Sequence, residues 1–362
     1  MSQSEENPGP APEYPELSPL EAGSSQDDSD EDYFSNDVSE TTSLNSSILD
    51  YEYENGLRYH RYRQGSYPMP NDETEQDRLD MMHHIYLMLL DGKLHIAPIG
   101  DNPQKILDVG TGTGIWAIDI ANEYPSAEVI GTDLSPIQPQ WVPPNCRFEV
   151  DDAASPWTFA PDSFDFIHSR HLSGALADWP EYIKQIYKAL KPGGWMQLSE
   201  YATDVTSDDN SYPKECSIRT YLHLMNSAAN KIGRVMNVGH TLKGTVEETG
   251  FAHVSQKILK LPWAPWPSDP KMKELGRFTL LNCETSFEAF GLALLTRVIG
   301  MSADEALKLC QDARKELRNK RIHIYNFQYP PLFLSGYFTA RLIVGSYVIV
   351  AQKPLEDKEE DD

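Results

Sequence analysis

Three glycines at alternate positions follow a short apolar segment in the run Ile106-Leu107-Asp108-Val109-Gly110-Thr111-Gly112-Thr113-Gly114-Ile115-Trp116. Residues without a Cβ let backbone N–H groups approach a ligand closely, and a strand that ends in such a loop and opens a helix has the shape of a nucleotide-type cofactor site. The spacing then selects the ligand. A dinucleotide fingerprint is G-x-G-x-x-G and seats a pyrophosphate on the helix N-terminus. Here the loop is G-x-G-x-G, with Ile115 where the fingerprint needs its last glycine. Asp108 adds a negative charge beside Gly110, Gly112 and Gly114, which suits a cationic or hydroxyl-bearing ligand better than a pyrophosphate.

Other candidate residues sit at the ends of further apolar runs. Asp133 follows Gly114 by 19 residues, where a carboxylate can accept hydrogen bonds from two ribose hydroxyls. Leu134 next to it offers a flat apolar surface to an adenine. The segment Cys146-Arg147-Phe148-Glu149-Val150 runs into Asp151 and Asp152. One of these acids should reach an exocyclic amine of the base; Asp152 is preferred because small Ala153 leaves room, although the pair also reads as a solvated turn. Phe164-Asp165-Phe166-Ile167-His168 delivers Ser169-Arg170-His171 to the same edge. Ser169 is assigned to the cofactor, while His168, Arg170 and His171 are the candidates for catalysis, either imidazole being a possible general base or a structural hydrogen-bonding residue. Glu200 ends a later run and points to the same edge.

These residues meet only if the intervening elements alternate correctly. Strands are expected at 105–109, 127–132, 146–150, 164–168 and 194–200, with helices at about 114–123 and 179–190. Strand and helix in alternation imply an α/β fold, a doubly wound, mostly parallel sheet whose ligands bind at the carboxyl ends of its strands. Leu190-Lys191-Pro192-Gly193-Gly194 is expected to stop a helix and turn tightly before the fifth strand. Residues 74–91 place apolar groups at 79, 82, 85, 86 and 89, the period of an amphipathic helix. Two helical stretches are expected between 213 and 250, then a strand at about 251–261, a helical insertion from about 270 to 318, and a last strand within 341–352.

The net charge of −24 belongs mainly to the ends: residues 1–54 hold 15 acids and no Lys or Arg, and residues 353–362 hold six acids against two lysines, leaving −5 for residues 55–352. The central part lacks the basic footprint of a nucleic-acid reader. Residues 1–48 and 353–362 read as disordered acidic tails, too polar to offset the entropy of ordering. Tyr51, Tyr53, Tyr59, His60, Tyr62 and Tyr67 suggest a strap packed over the domain. Cys146, Cys216, Cys283 and Cys310 show no ligand spacing, so neither disulfides nor a metal is expected. The N-terminus has no apolar signal segment, and the apolar stretch 329–351 is broken by Arg341 and two prolines near its start. It reads as buried strand rather than membrane span, and the chain as soluble, cytoplasmic or nuclear.

Asp-Val-Gly-Thr-Gly-Thr-Gly, Gly-Thr-Asp-Leu-Ser, Asp-Asp-Ala and Leu-Lys-Pro-Gly-Gly-Trp, in this order over 104–200, resemble the successive motifs of class I S-adenosylmethionine-dependent methyltransferases. Tyr-Glu-Asn-Gly-Leu-Arg-Tyr-His at 53–60, the segment 70–84 and His-Ser-Arg-His-Leu at 168–172 resemble the fungal LaeA-like group, which includes regulators of secondary metabolism and enzymes of metabolite clusters. The resemblance covers about 49–352. It implies a Rossmann-like seven-stranded sheet with an antiparallel last strand. It places Gly110, Gly112 and Gly114 around the methionine part of S-adenosyl-L-methionine, Asp133 on the ribose and Asp152 near the adenine. It also implies a lid made by helix 74–91 and the strap, with helical caps at about 210–250 and 270–330 completing an acceptor pocket. Tyr62, His83, His84, Arg170 and His171 are candidates for acceptor contacts. The resemblance leaves three activities open: O- or N-methylation of a small molecule, a regulatory methyltransferase in a nuclear protein complex, or a cofactor-binding module without turnover.

Overall fold

The computed structural model describes residues 20, 51–54, 57–60, 70–201, 203, 205–326 and 346–355. Tyr62 and Tyr67 of the expected strap, nearly all of 1–48, residues 329–345 and most of the C-terminal tail lie outside them.

The first described elements are a hairpin of β1 (Tyr51–Glu54) and β2 (Leu57–His60), followed by α1 (Glu73–Leu89). The alternating part then runs β3 (Lys105–Val109), α2 (Ile115–Glu123), β4 (Glu128–Asp133), β5 (Cys146–Val150), β6 (Phe164–Arg170), α3 (Trp179–Ala189) and β7 (Leu190–Tyr201). Beyond it come α4 (Ser217–Lys231), α5 (Gly239–Glu248), β8 (Ala252–Leu259), β9 (Leu261–Pro262) and α6 (Pro270–Leu294). A π-helical turn, Leu295–Ile299, extends α6, and α7 (Ala303–Leu317), β10 (Tyr325–Asn326) and β11 (Ser346–Gln352) close the chain.

Seven strands form one sheet in the order β5-β4-β3-β6-β7-β11-β8. All are parallel except β11, which is antiparallel to both its neighbours. The central strands are apolar on both faces because helices cover both. In β3, Leu107 and Val109 pack in a cluster with Ile183 and Ile186 of α3, while Ile106 points the other way into a cluster with Ala117 and Ile120 of α2. This is the period-two alternation of a strand. In-register pairing of Val109 with Thr132 and with Ser169 brings the carboxyl ends of β3, β4 and β6 to one edge.

Two boundaries differ from expectation. β6 continues through Arg170, so Ser169 and Arg170 belong to the strand instead of the loop after it. The Lys191–Gly194 bend lies inside β7, absorbed as a register irregularity against Phe164 and Phe166. Gly193 takes φ +80° there, so the glycines bend the chain without ending its pairing.

A helical cap of α4, α6 and α7 has its own core, including Ile218, Met225, Leu292, Cys310 and Leu317. Helix α1 is started by Asp72, whose side chain accepts the Glu75 N–H, and packs through Ile85 and Leu89 against Leu275 of α6. β9 and β10 pair as a short antiparallel ribbon beside the cap. Among the described residues no helix is long and apolar enough to cross a membrane.

Candidate functional site

A cavity of about 350 Å³ opens at the carboxyl edge of the sheet, between that edge, α1 and the cap. The glycine loop forms part of its floor. Gly110 and Gly112 line it, with φ of +69° and +59°. At 110 the positive φ favours glycine, and a Cβ there would also displace the end of the Leu172 side chain, 2.5 Å away at Cδ2. Gly114, also at positive φ, does not line the cavity; its missing side chain makes room for the Phe148 ring.

Asp133 and Leu134 line the cavity beside the loop. The Asp133 carboxylate is clamped by two backbone donors, Gly112 N–H to Oδ2 at 2.8 Å and Ser135 N–H to Oδ1 at 2.9 Å. Gln138 Nε2 donates to the carbonyls of Gly112 and Ser135, at 2.7 and 2.9 Å, and so ties the loop after β3 to the loop after β4. Asp151 and Asp152 both reach the wall. Asp152 is held by donation from Ala154 N–H at 2.9 Å, and Asp151 accepts from Asp152 N–H at 2.8 Å.

The last residue of β6 and the one after it reach the cavity, while the two before them do not. Arg170 and His171 line the cavity; His168 and Ser169 do not, being buried within the sheet. His168 stacks on Trp116 with ring centroids 3.8 Å apart, and its Nδ1 lies 2.7 Å from Asp108 Oδ1. Asp108 in turn accepts the Thr111 hydroxyl at 2.6 Å. Asp108 therefore braces the glycine loop through Thr111 and does not line the cavity. Burial lowers the His168 pKa although Asp108 opposes the shift.

His171 adopts φ +60° and is held by Tyr86, whose hydroxyl is 3.1 Å from Nε2, and by edge-on packing against Tyr201. Burial, reinforced by the Arg170 charge, pushes its pKa well below the usual imidazole range, so the ring is neutral near pH 7. The Arg170 guanidinium lies 5.1 Å over the Tyr86 ring and donates to His83 Nδ1 at 3.4 Å. His83 Nε2 then faces Asp119 at 3.0 Å, which keeps His83 inside the scaffold. His84 is exposed and packs edge-on against Phe278. Glu200 is fully buried and accepts from Leu172 N–H, Ser173 N–H and the Ser173 hydroxyl, at 2.8, 3.0 and 2.7 Å. It fixes the backbone just after His171. Burial raises its pKa to about 7 against those bonds.

The opposite wall comes largely from α1 and the helical cap, the elements expected to close an acceptor pocket, although its individual side chains were not singled out in the sequence. Arg78 and Glu75 of α1 form a buried bidentate pair, both contacts 2.7 Å, and Arg78 lies 4.6 Å over the Phe290 ring. Asn282 of α6 donates to the Arg78 carbonyl at 2.8 Å. Tyr201, Tyr221, Trp263, Phe287 and Phe290 give this wall its aromatic surface. Burial raises the Cys283 thiol on the same wall to about 12, which makes it an inert neighbour rather than a nucleophile. Among the described residues no group of His, Cys, Asp and Glu is arranged to hold a metal ion.

The cavity thus has an acidic half at the sheet edge and an aromatic half with a compensated charge pair. A family model described as "Methyltransferase domain" matches residues 81–256. "Methyltransferase pytC" of Aspergillus terreus is 41% identical over 318 residues, which cover 87% of this chain and 92% of that protein. "Secondary metabolism regulator laeA" of Aspergillus fumigatus is 38% identical over 295 residues, covering 80% of this chain and 78% of the regulator. Among solved structures, Haemonchus contortus phosphoethanolamine N-methyltransferase 2 in complex with S-adenosyl-L-methionine aligns with a TM-score of 0.40 and 19% identity, over 80% of this chain and 54% of that one.

Proposed function

The chain belongs to the S-adenosylmethionine-dependent methyltransferases, in the group that holds the LaeA regulators, and from that premise we propose that it methylates a small-molecule acceptor of fungal secondary metabolism in this cavity. The observation that carries the reading is the Asp133 carboxylate clamped by the Gly112 and Ser135 amides on the wall of a cavity that also has an aromatic half.

The residues fit the cofactor chemically. A carboxylate fixed by amide donors suits a vicinal diol, Leu134 offers an apolar face to adenine, and Asp151 or Asp152 can accept from an exocyclic amine. Gly110 and Gly112 leave backbone exposed for the amino-acid end. The acids also favour a sulfonium's positive charge. When bound, S-adenosylmethionine supplies an electrophilic methyl group on that sulfonium.

Transfer of such a group is an in-line displacement, so the protein's work is alignment and exclusion of water. Tyr201, Tyr221, Phe287 and Phe290 exclude water and hold an apolar acceptor body. We assign His171 and Arg170 to the acceptor side of the boundary, where neutral His171 and the Tyr86 hydroxyl can orient a hydroxyl or amine by hydrogen bonding. His168, Ser169, Asp108 and Gly114 are assigned to holding the loop and strand ends in place.

Titration calorimetry with S-adenosylmethionine tests the cofactor half. Asp133→Ala removes an acceptor from the ribose, and charged hydrogen bonds of this kind contribute roughly 1.5–3 kcal/mol each, so affinity should fall about a hundredfold. Absent binding by the wild-type protein would overturn the reading. The kinship with the laeA regulators favours a second reading in which the enzyme works inside a regulatory protein complex. Metabolite comparison of wild type with Gly112→Asp, set against partner capture on the intact chain, separates the two: the first predicts species differing by one methyl group.

A further inference from the structure

Leu20 sits far from the domain in sequence, yet like Ala264 it packs against the buried Trp266–Tyr325 cluster. Its backbone N–H donates to Asp208 Oδ2 at 3.2 Å. The seat is built from buried parts. Tyr325 is fully buried and Trp266 is 9% exposed. Trp266 Nε1 donates to the Ile324 carbonyl at 3.1 Å, and its ring stacks on His323 with centroids 5.2 Å apart. Asp208 accepts the Tyr325 hydroxyl and pairs with Lys260 Nζ at 3.0 Å, which lies 4.7 Å over the Tyr325 ring.

The seat backs directly onto the aromatic half of the cavity. In the β9–β10 ribbon Leu261 pairs with Asn326 and Pro262 with Tyr325, and side chains alternate faces along each strand. Leu261, Trp263 and Asn326 line the cavity, whereas Tyr325 turns its ring to Leu20. Trp263 Nε1 donates to Asn326 Oδ1 across the ribbon. Glu13, Glu16 and Glu21 surround Leu20 in sequence, and exposed Lys320 and Arg321 lie just before His323, whose Nε2 is 3.0 Å from the Lys320 carbonyl.

We propose that the Trp266–Tyr325 seat is an interaction surface for a short acidic leucine segment, that its occupant is this chain's own sequence around Leu20, and that occupancy stiffens the β9–β10 wall of the acceptor half. The proposal does not depend on which molecule is methylated. A leucine in such a seat contributes through buried apolar area, and its loss acts first on the local opening of the ribbon.

Hydrogen–deuterium exchange on the full chain tests it. With Leu20→Asp, amides in 261–266 and 323–326 should exchange about tenfold faster, while 106–114 in the glycine loop stays at the wild-type rate. Leu20→Met should stay close to wild type, and a synthetic peptide of residues 14–26 should restore protection to the Leu20→Asp protein. Unchanged exchange in Leu20→Asp, acceleration spread equally over 106–114, or a loss that the peptide does not reverse would overturn it.

Discussion

At the scale of single residues, the three loop glycines share a pattern but not a reason. Gly110 makes room for Leu172, Gly112 lies against Leu79, and Gly114 makes room for Phe148. Alternate glycines were legible as a ligand loop because each sits where backbone must be exposed or φ positive. Which of them faces a ligand was not, because the partner side chains come from α1, β5 and the loop after β6. Gly114→Ala tests the packing role: positive φ and overlap with the Phe148 ring together cost about 2–4 kcal/mol, measured by denaturant unfolding. In the double variant with Phe148→Leu the smaller side chain should recover about 1 kcal/mol of that loss. Strict additivity of the two substitutions would show that the ring is not the obstacle.

At the scale of elements, α1 shows how much periodicity can reveal. Its apolar positions at 85, 86 and 89 are buried as the helical period implies. Glu75 and Arg78, which read as polar surface, are buried too, because they pair bidentately and Arg78 lies over Phe290. The aromatic wall was hidden for a related reason: Tyr201, Tyr221, Trp263 and Phe287 come from β7, α4, the segment after β9 and α6, and each looks locally like an ordinary core residue. Glu75, Arg78, Leu79 and Met82 bring one face of α1 to the cavity, so the start of this helix has functional weight. Asp72→Ala removes its N-cap at a cost of about 1 kcal/mol. Exchange of amides in the first turn of α1 should rise about fivefold, with β3 and β6 unaffected. Equal exchange in both proteins would mean that packing on α6 alone fixes the helix start.

At the scale of the whole molecule, the site is embedded in a set of neutral imidazoles that ties stability to pH. Burial is the leading cause lowering the pKa of His83, His95, His168 and His171, and Arg170 adds to it at His83, His168 and His171. A histidine with a depressed folded-state pKa contributes its stability fully above the unfolded value of about 6.5 and loses it as pH falls toward the folded value. Glu200 has the opposite sign. Its pKa rises from 4.5 to about 7 on burial, so its contribution is complete below pH 4.5 and is lost as pH climbs from there through about 7. As pH falls below 6.5 the unfolded chain takes up protons at these four histidines ahead of the folded protein, while between pH 4.5 and about 7 the folded protein holds an extra one at Glu200. The balance favours unfolding in acid, by about 1.4 kcal/mol per pH unit for each unbalanced proton. Thermal unfolding scanned from pH 8 to 4.5 should show a plateau above about pH 7 and a decline in acid, and Glu200→Gln should steepen that decline by removing the proton that opposes it. A midpoint that holds steady or rises from pH 6.5 to 4.5 would mean that these imidazoles are charged in the folded protein. Because His171 lines the cavity and His83 holds Arg170, the same acid range should weaken the acceptor side of the site before the sheet itself gives way.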